Sequence, residues 1–339
     1  MPPLYDAQAV IAPENIAAGA AVLWEATSGR LLWGRQPDAP LPPASTSKIL
    51  TAVTVLDTAD IRETARVSAK AAAVGESSIH LRQGERLQVE ELLAGALMRS
   101  GNDACVALAE HTAGRESLFI DWLNVKAKTL GIYNAHLANS NGLPAENHLI
   151  SAAALAKIAA YALQNETFAQ IVSSKYRDIG SGGSFRRLRN TNKLLWQDDR
   201  VDGVKTGTTE AAGSCLIASR RQGRAHFISV VLHSPDRYGE SLALLDYGAG
   251  HYQLGRLFAA GETVALLPLD GGSWQSVSVH ADCWLLTAPE ERKNAVLSWQ
   301  FNPWQTAQAG EHGGFFQIKT ADGQILATYP LYYQEAANR

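Results

Sequence analysis

Short extended apolar runs open the chain, helical periodicity fills its middle, and short alternating runs close it. Ala20-Ala-Val-Leu-Trp-Glu-Ala and Leu31-Leu-Trp-Gly-Arg flank Thr27-Ser-Gly-Arg, which predicts a β-hairpin about a glycine-containing turn. From Ser45 to about Asp57 the apolar positions Ile49, Leu50, Val53 and Leu56 fall at helical spacing. The alanine-rich region from about Ala65 to Leu163 continues that period. It predicts helices over Val89–Met98, Ala104–Glu110, Ser117–Leu130 and Ser151–Leu163. Strand-like runs return at Ser214–Ser219 and His226–Leu232, and Asp236 to about Leu254 reads as a closing helix. Strands at both ends with helices between them predict an α/β domain whose helical part is inserted into a sheet.

Beyond Gly261 the texture changes. Alternating runs at Ser276–His280, Ala295–Trp299, Phe315–Lys319 and Gln324–Tyr329 are separated by Gly, Pro, Asp and Asn, which predicts a small all-β domain. The expected organisation is therefore a first domain over 1–260 and a β-domain over 261–339. No internal repeat or low-complexity segment interrupts it.

Composition narrows the classes. With 339 residues, 46% hydrophobic content and a formal net charge of -3, the chain is an ordinary globular protein. Such a charge creates no field favouring nucleic acid or an anionic membrane. Cys105, Cys215 and Cys283 lie far apart among apolar or small neighbours, which reads as buried thiols, not a disulfide framework or metal site. No apolar run reaches the ~18 residues that span a bilayer. Met1-Pro-Pro-Leu-Tyr-Asp-Ala has neither the charged nor the apolar region of a signal peptide, so the chain reads as cytosolic or as a mature form.

The candidate chemistry begins at Pro42-Pro-Ala-Ser45-Thr-Ser-Lys48. Serine is a favoured helix cap, and in that reading Lys48 is a surface residue in the first turn. A lysine there is slightly unfavourable, because the helix N-terminus already carries partial positive charge. The other reading gives the lysine a purpose. Residues three apart share a helix face, so a neutral Lys48 amine could take the Ser45 hydroxyl proton and make it a nucleophile. Backbone N–H groups at a helix start would stabilise the negative charge that develops.

Two further motifs weigh in. Ser100-Gly-Asn102 follows the helix ending near Met98, and Lys205-Thr-Gly207-Thr208 precedes the strand Ser214–Ser219. The ordered set Ser-x-x-Lys, Ser-x-Asn, Lys-Thr-Gly resembles that of penicillin-binding proteins and β-lactamases. Asn190-Thr-Asn-Lys-Leu-Leu-Trp, followed by Val201-Asp-Gly-Val-Lys-Thr-Gly-Thr-Thr-Glu-Ala-Ala-Gly213, narrows it. These segments are similar to the low-molecular-mass penicillin-binding proteins, the serine-type D-alanyl-D-alanine carboxypeptidases. Asn141-Gly-Leu-Pro-Ala-Glu-Asn-His148 resembles that family's His-Gly-Leu segment, with Asn141 in place of the usual histidine. Ala309-Gly-Glu-His-Gly-Gly-Phe-Phe and Ala321-Asp-Gly-Gln-Ile-Leu-Ala resemble its C-terminal β-domain.

The resemblance implies a penicillin-binding/β-lactamase-like fold, with an antiparallel sheet, helices and an inserted helical subdomain, followed by the all-β domain. It implies that Ser45 attacks the carbonyl between two D-alanines, with Lys48 as base and Ser100 passing a proton to the leaving amine. Asn102 would then bind the acyl side of the substrate. Lys205, Thr206, Gly207 and Thr208 would bind the terminal carboxylate side. The Ser45 and Thr208 N–H groups would form the oxyanion hole. It implies no cofactor and no metal. The partners implied are a peptidoglycan stem peptide ending in D-Ala-D-Ala and β-lactam antibiotics, with no nucleic acid and no membrane anchor in this chain. Such a protein would be exported to the cell envelope, with this chain its soluble, mature form.

A class A β-lactamase is the alternative, with Glu146-Asn-His-Leu149 as its candidate deacylation segment; Ile150 stands where that pattern wants Asn. A catalytically silent peptidoglycan-binding protein is the other, although every nucleophile and base position is filled. The remaining polar features read as structure. The nine histidines include no metal-ligand spacing, Arg186-Arg-Leu-Arg189 reads as a solvated loop, and Pro289-Glu-Glu-Arg-Lys293 reads as a solvated turn. The eight tryptophans are scattered, as core or packing residues are.

Overall fold

Ala20–Glu25 and Arg30–Arg35 pair antiparallel as a hairpin, as the sequence predicts. The first of these strands is mostly buried because its other edge pairs with Ala225–Ser234, in the register Ala20↔Leu232 and Val22↔Val230. That pairing joins chain segments about two hundred residues apart, and the mostly helical stretch between Arg35 and Val201 is inserted between strands of this sheet. The computed structural model describes residue 13 and residues 15–268, 274–301 and 308–334. The leader reading of Met1–Ala7 therefore falls outside the described residues, as does the chain end at 335–339.

The central sheet runs in the order Arg30–Arg35, Ala20–Glu25, Ala225–Ser234, Gly213–Gln222, Val201–Thr209, antiparallel throughout. Ala225–Ser234 is buried along nine of its ten residues. It reads as a near-continuous apolar run, as a strand covered on both faces does. The alanine-rich helix Ala152–Ala162, capped by Ser151 Oγ accepting from the Ala154 N–H at 3.2 Å, packs on it. Arg237–His251 packs there too; a Cβ at Gly248 would lie 2.8 Å from the Phe227 ring and 3.1 Å from Leu23, so glycine lets this helix approach closely.

The inserted region is helical. Lys48–Thr58, buried continuously from Lys48 to Val55, is surrounded by Val89–Met98, Asn102–Ala113, Glu116–Thr129 and Ala152–Ala162. Two short ribbons accompany the helices. Thr64–Arg66 pairs with Arg86–Gln88, and Tyr176–Ile179 pairs with Arg186–Arg189. The fold is the expected α/β class. Arg186–Arg189 is a strand and not the solvated loop expected, because Arg186 is drawn inward by Glu85 and the carbonyls of Ile79 and His80. Pro289–Asn294 is a short helix in place of the expected turn; proline suits the first turn, and the Glu291 carboxylate accepts from the Ala288 N–H.

By its contacts the chain divides into two compact units, Met1–Gly248 and Ala249–Arg339. The division falls upstream of residue 260 because Gln253–Phe258 pairs with Cys283–Thr287. In the second unit a five-stranded antiparallel sheet follows the order Thr263–Pro268, Trp274–Ser278, Ile325–Tyr333, His312–Lys319, Val296–Phe301. Its core gathers Val277, Cys283, Phe316, Ile318 and Leu331, with the Phe258 and Phe316 rings edge to face at 5.7 Å.

Candidate active site

Three hydroxyls follow one another at residues 45–47, in a 3-10 turn (Ala44–Ser47) that leads into the helix Lys48–Thr58. Thr46 Oγ1 donates to the Pro43 carbonyl at 2.6 Å, and Ser47 Oγ donates to that of Ala44 at 3.1 Å. Ser45 does neither. It sits inside the turn, whose leading residue is Pro43, and caps no helix. Its Oγ lies 2.7 Å from Lys48 Nζ.

Lys48 is fully buried, and its amine meets two more oxygens, Asn102 Oδ1 at 2.8 Å and the Asn141 carbonyl. Asn102 is oriented by its own Nδ2, which donates to the Gly75 carbonyl at 3.0 Å. Amide oxygens only accept, whereas a serine hydroxyl both donates and accepts. A neutral amine has two hydrogens and one lone pair. It therefore satisfies Asn102 and Asn141 and still offers its lone pair to the Ser45 proton. Burial brings Lys48 down to about 8, against opposing attraction from Cys105, Glu76 and Asp103. The neutral form is thus accessible near physiological pH, as a general base requires.

Lys205 is buried as well. Burial first, and repulsion from Lys48 second, push it well below the ordinary lysine range. Its Nζ donates to Ser100 Oγ at 3.0 Å and to the Thr206 carbonyl at 2.8 Å. Ser100 turns the chain between the helices Val89–Met98 and Asn102–Ala113 with a left-handed φ of 61°.

Lys205, Thr206, Gly207 and Thr208 lie on the strand Val201–Thr209, at the open edge of the central sheet, which hydrophobic patterning did not predict. A Cβ at Gly207 would meet the Ser45 nitrogen at 3.0 Å and the Pro43 carbonyl at 3.1 Å. Glycine there brings the strand against the turn that carries Ser45. Gly142 (φ 84°) does the same from the loop that supplies the Asn141 carbonyl, since a Cβ on it would stand 2.1 Å from the Ala44 carbonyl oxygen. In that loop His148 is buried, with Nδ1 accepting from the Ala138 N–H at 3.0 Å. Burial, then repulsion from His136 and Lys48, push it down to about 4, so it is neutral and structural.

A cleft of about 400 Å³ opens over these groups and is lined by Ser45, Ser100, Thr206, Gly207 and Thr208. The expected residues thus converge, with Lys48, Asn102 and Lys205 buried and hydrogen-bonded to one another or to the lining serines. Sequence reasoning missed Arg237, whose Nη1 donates to Thr208 Oγ1 at 2.7 Å and to the Gly207 carbonyl at 2.9 Å. It also missed Thr191, whose hydroxyl lies 2.8 Å from that of Thr206. Arg186 was read as solvated, yet it binds Glu85 through both carboxylate oxygens and holds the Ile79 carbonyl at 2.6 Å. Asp103 grips the same segment from beneath, accepting from Ser78 Oγ at 2.6 Å and the Leu81 N–H at 3.0 Å. Glu146, the alternative's candidate acid, is exposed and does not line the cleft.

A family profile described as D-alanyl-D-alanine carboxypeptidase matches residues 6–236. The chain belongs to that family. It is similar to the D-alanyl-D-alanine carboxypeptidase DacF of Bacillus subtilis, 32% identical over 94% of this chain and 85% of the relative. DacD of Escherichia coli is 31% identical over 96% of this chain and 88% of its own length. Among solved structures, penicillin binding protein 5 of Haemophilus influenzae superposes with a TM-score of 0.83 at 26% identity, covering 96% of this chain and 99% of that one. The match to this serine-type carboxypeptidase family agrees with the resemblance read from the motifs, and the similar structure covers this chain beyond the last residue of the profile. Among the described residues, no helix is long and apolar enough to cross a membrane.

Proposed function

We propose that this carboxypeptidase removes the terminal D-alanine of peptidoglycan stem peptides through an acyl-enzyme on Ser45. Lys48 takes the Ser45 proton as Oγ attacks the carbonyl of the penultimate D-alanine. The oxyanion is held by the Ser45 and Thr208 N–H groups. Ser100 passes a proton to the leaving nitrogen as the C–N bond breaks, and free D-alanine departs. Water then cleaves the ester, restoring the Ser45 hydroxyl. Asn102 orients the acyl side. Lys205, Thr206 and Thr208, together with Arg237, draw in the terminal carboxylate. The substrate class places the enzyme in the cell envelope.

One observation carries this reading: Lys48 Nζ, buried, is shared between two obligate acceptors and the Ser45 hydroxyl at 2.7 Å. A β-lactam presents an acyl carbonyl and a carboxylate to the same groups, and its opened ring stays tethered. Intact-protein mass spectrometry after exposure to benzylpenicillin should show one adduct, absent from Ser45→Ala together with D-alanine release. An adduct that persists in Ser45→Ala would overturn the assignment.

A further inference from the structure

Among the described residues lining the cleft, Glu76 is the one acid, and it shares that lining with Ser45. Its backbone is left-handed, with φ 61°, a conformation that a non-glycine residue keeps only where the surroundings enforce it. Here Asn102 enforces it. The Asn102 N–H donates to the Ser77 carbonyl at 2.7 Å, while its Nδ2 donates to the Gly75 carbonyl at 3.0 Å. Glu76 is thus the residue clamped between two hydrogen bonds to the group that orients the acyl side. Its side chain is exposed, and among the described residues its carboxylate makes no hydrogen bond or ion pair. The other charged groups in the lining, His80, Arg99 and Arg237, are basic or can become so. Through the two hydrogen bonds from Asn102 the segment of Glu76 is tied to the residue that orients the acyl side, where an exposed carboxylate attracts positive charge.

We propose that Glu76 is a specificity-determining residue that binds a primary ammonium group on the side chain of the residue preceding D-Ala-D-Ala. This deepens the carboxypeptidase reading and rests on it. An exposed ion pair of this kind is worth a fraction of a kcal/mol to about 1 kcal/mol, which corresponds to at most about fivefold in kcat/KM. Stem peptides with a free amine at that position are then preferred over those in which it is acylated, as it is after cross-linking.

The test compares Nα-acetyl-L-Lys-D-Ala-D-Ala with its Nα,Nε-diacetyl counterpart, measuring D-alanine release at low ionic strength. The wild type should favour the free amine by about three- to fivefold in kcat/KM, and added salt should erode that preference. Glu76→Gln should bring the ratio near one, and Glu76→Lys should invert it. Penicillin labelling of Ser45 reports that each variant is folded. An unchanged ratio in Glu76→Gln would overturn the inference. So would an equal fall for both peptides with a displaced pH profile, which would mean that Glu76 acts through Lys48. Release from neither peptide by the wild type would overturn the carboxypeptidase reading itself, and the inference with it.

Discussion

The two compact units bury different things. In Met1–Gly248 the described interior holds Lys48, Lys205, Asp103 and Arg220, together with Ser100 and Asn102. In Ala249–Arg339 the buried polar side chains among the described residues are Gln275, Ser278 and Thr287, all uncharged. An unpaired buried charge is costly, and proteins either satisfy it with hydrogen bonds or shift it toward its neutral form. The first unit does both, at Lys48 and again at Lys205. The second unit is held by a conventional core around Phe316. The difference teaches where function sits. The interior that tolerates two buried amines, and approaches within contact distance at Gly142 and Gly207, is the interior that performs chemistry.

The sharpest way to break that contrast is Lys48→Arg. Guanidinium keeps the charge but does not give up a proton in the working pH range, so the lone pair that Ser45 requires disappears. General-base catalysis contributes about 10²- to 10⁴-fold, and acylation by penicillin, followed by stopped-flow or mass spectrometry, should fall by that order. Near-wild-type acylation in a folded Lys48→Arg would assign the base to another group.

Gly142→Ala should come next. Its added carbon would stand 2.1 Å from the Ala44 carbonyl oxygen and 2.8 Å from Ser47 Oγ, so the turn that carries Ser45 has to move. A displacement of about 1 Å at a reacting group costs roughly 10²-fold, and the acylation rate should drop by about that factor. An unaltered rate would show that the nucleophile turn is not held by this contact.

The smallest effect on activity should come from the second unit. Phe316→Ala removes a buried ring that touches Phe258 and Trp299, and should destabilise that unit by about 3–5 kcal/mol in chemical denaturation. The initial rate on a small D-Ala-D-Ala peptide should stay within about twofold at a temperature where the variant remains folded, because every residue lining the cleft lies between Ser45 and Arg237. A large loss of activity in the folded variant would mean that the chemistry depends on the β unit.

Hydrophobic patterning made the hairpin, the long helices and the alternating strands legible, since each repeats one period long enough to read. It did not reveal the strand Val201–Thr209, whose Asp202, Lys205 and threonines interrupt any apolar alternation because the strand carries the site. The motif residues were legible through their ordered set. Arg237 and Glu76 were not, because each reaches the cleft from a segment with no fixed spacing to any motif, and Thr191, although inside the quoted Asn190-Thr-Asn-Lys segment, was given no role until its hydroxyl was placed against Thr206. The role of Arg186 was misread for the same reason. Three arginines in four residues look solvated until Glu85, about a hundred residues earlier, is folded against Arg186.

The central claim is that Ser45 is activated by a buried lysine in its neutral form. The most direct measurement is the single-turnover rate of Ser45 acylation by a β-lactam as a function of pH. Because Lys48 is lowered to about 8, well below the 10.5 of a free lysine, the rate should rise with pH as the amine loses its proton, with a midpoint near 8. A rate independent of pH between about 6 and 9, or one whose midpoint lies near that of an ordinary exposed lysine, would contradict it.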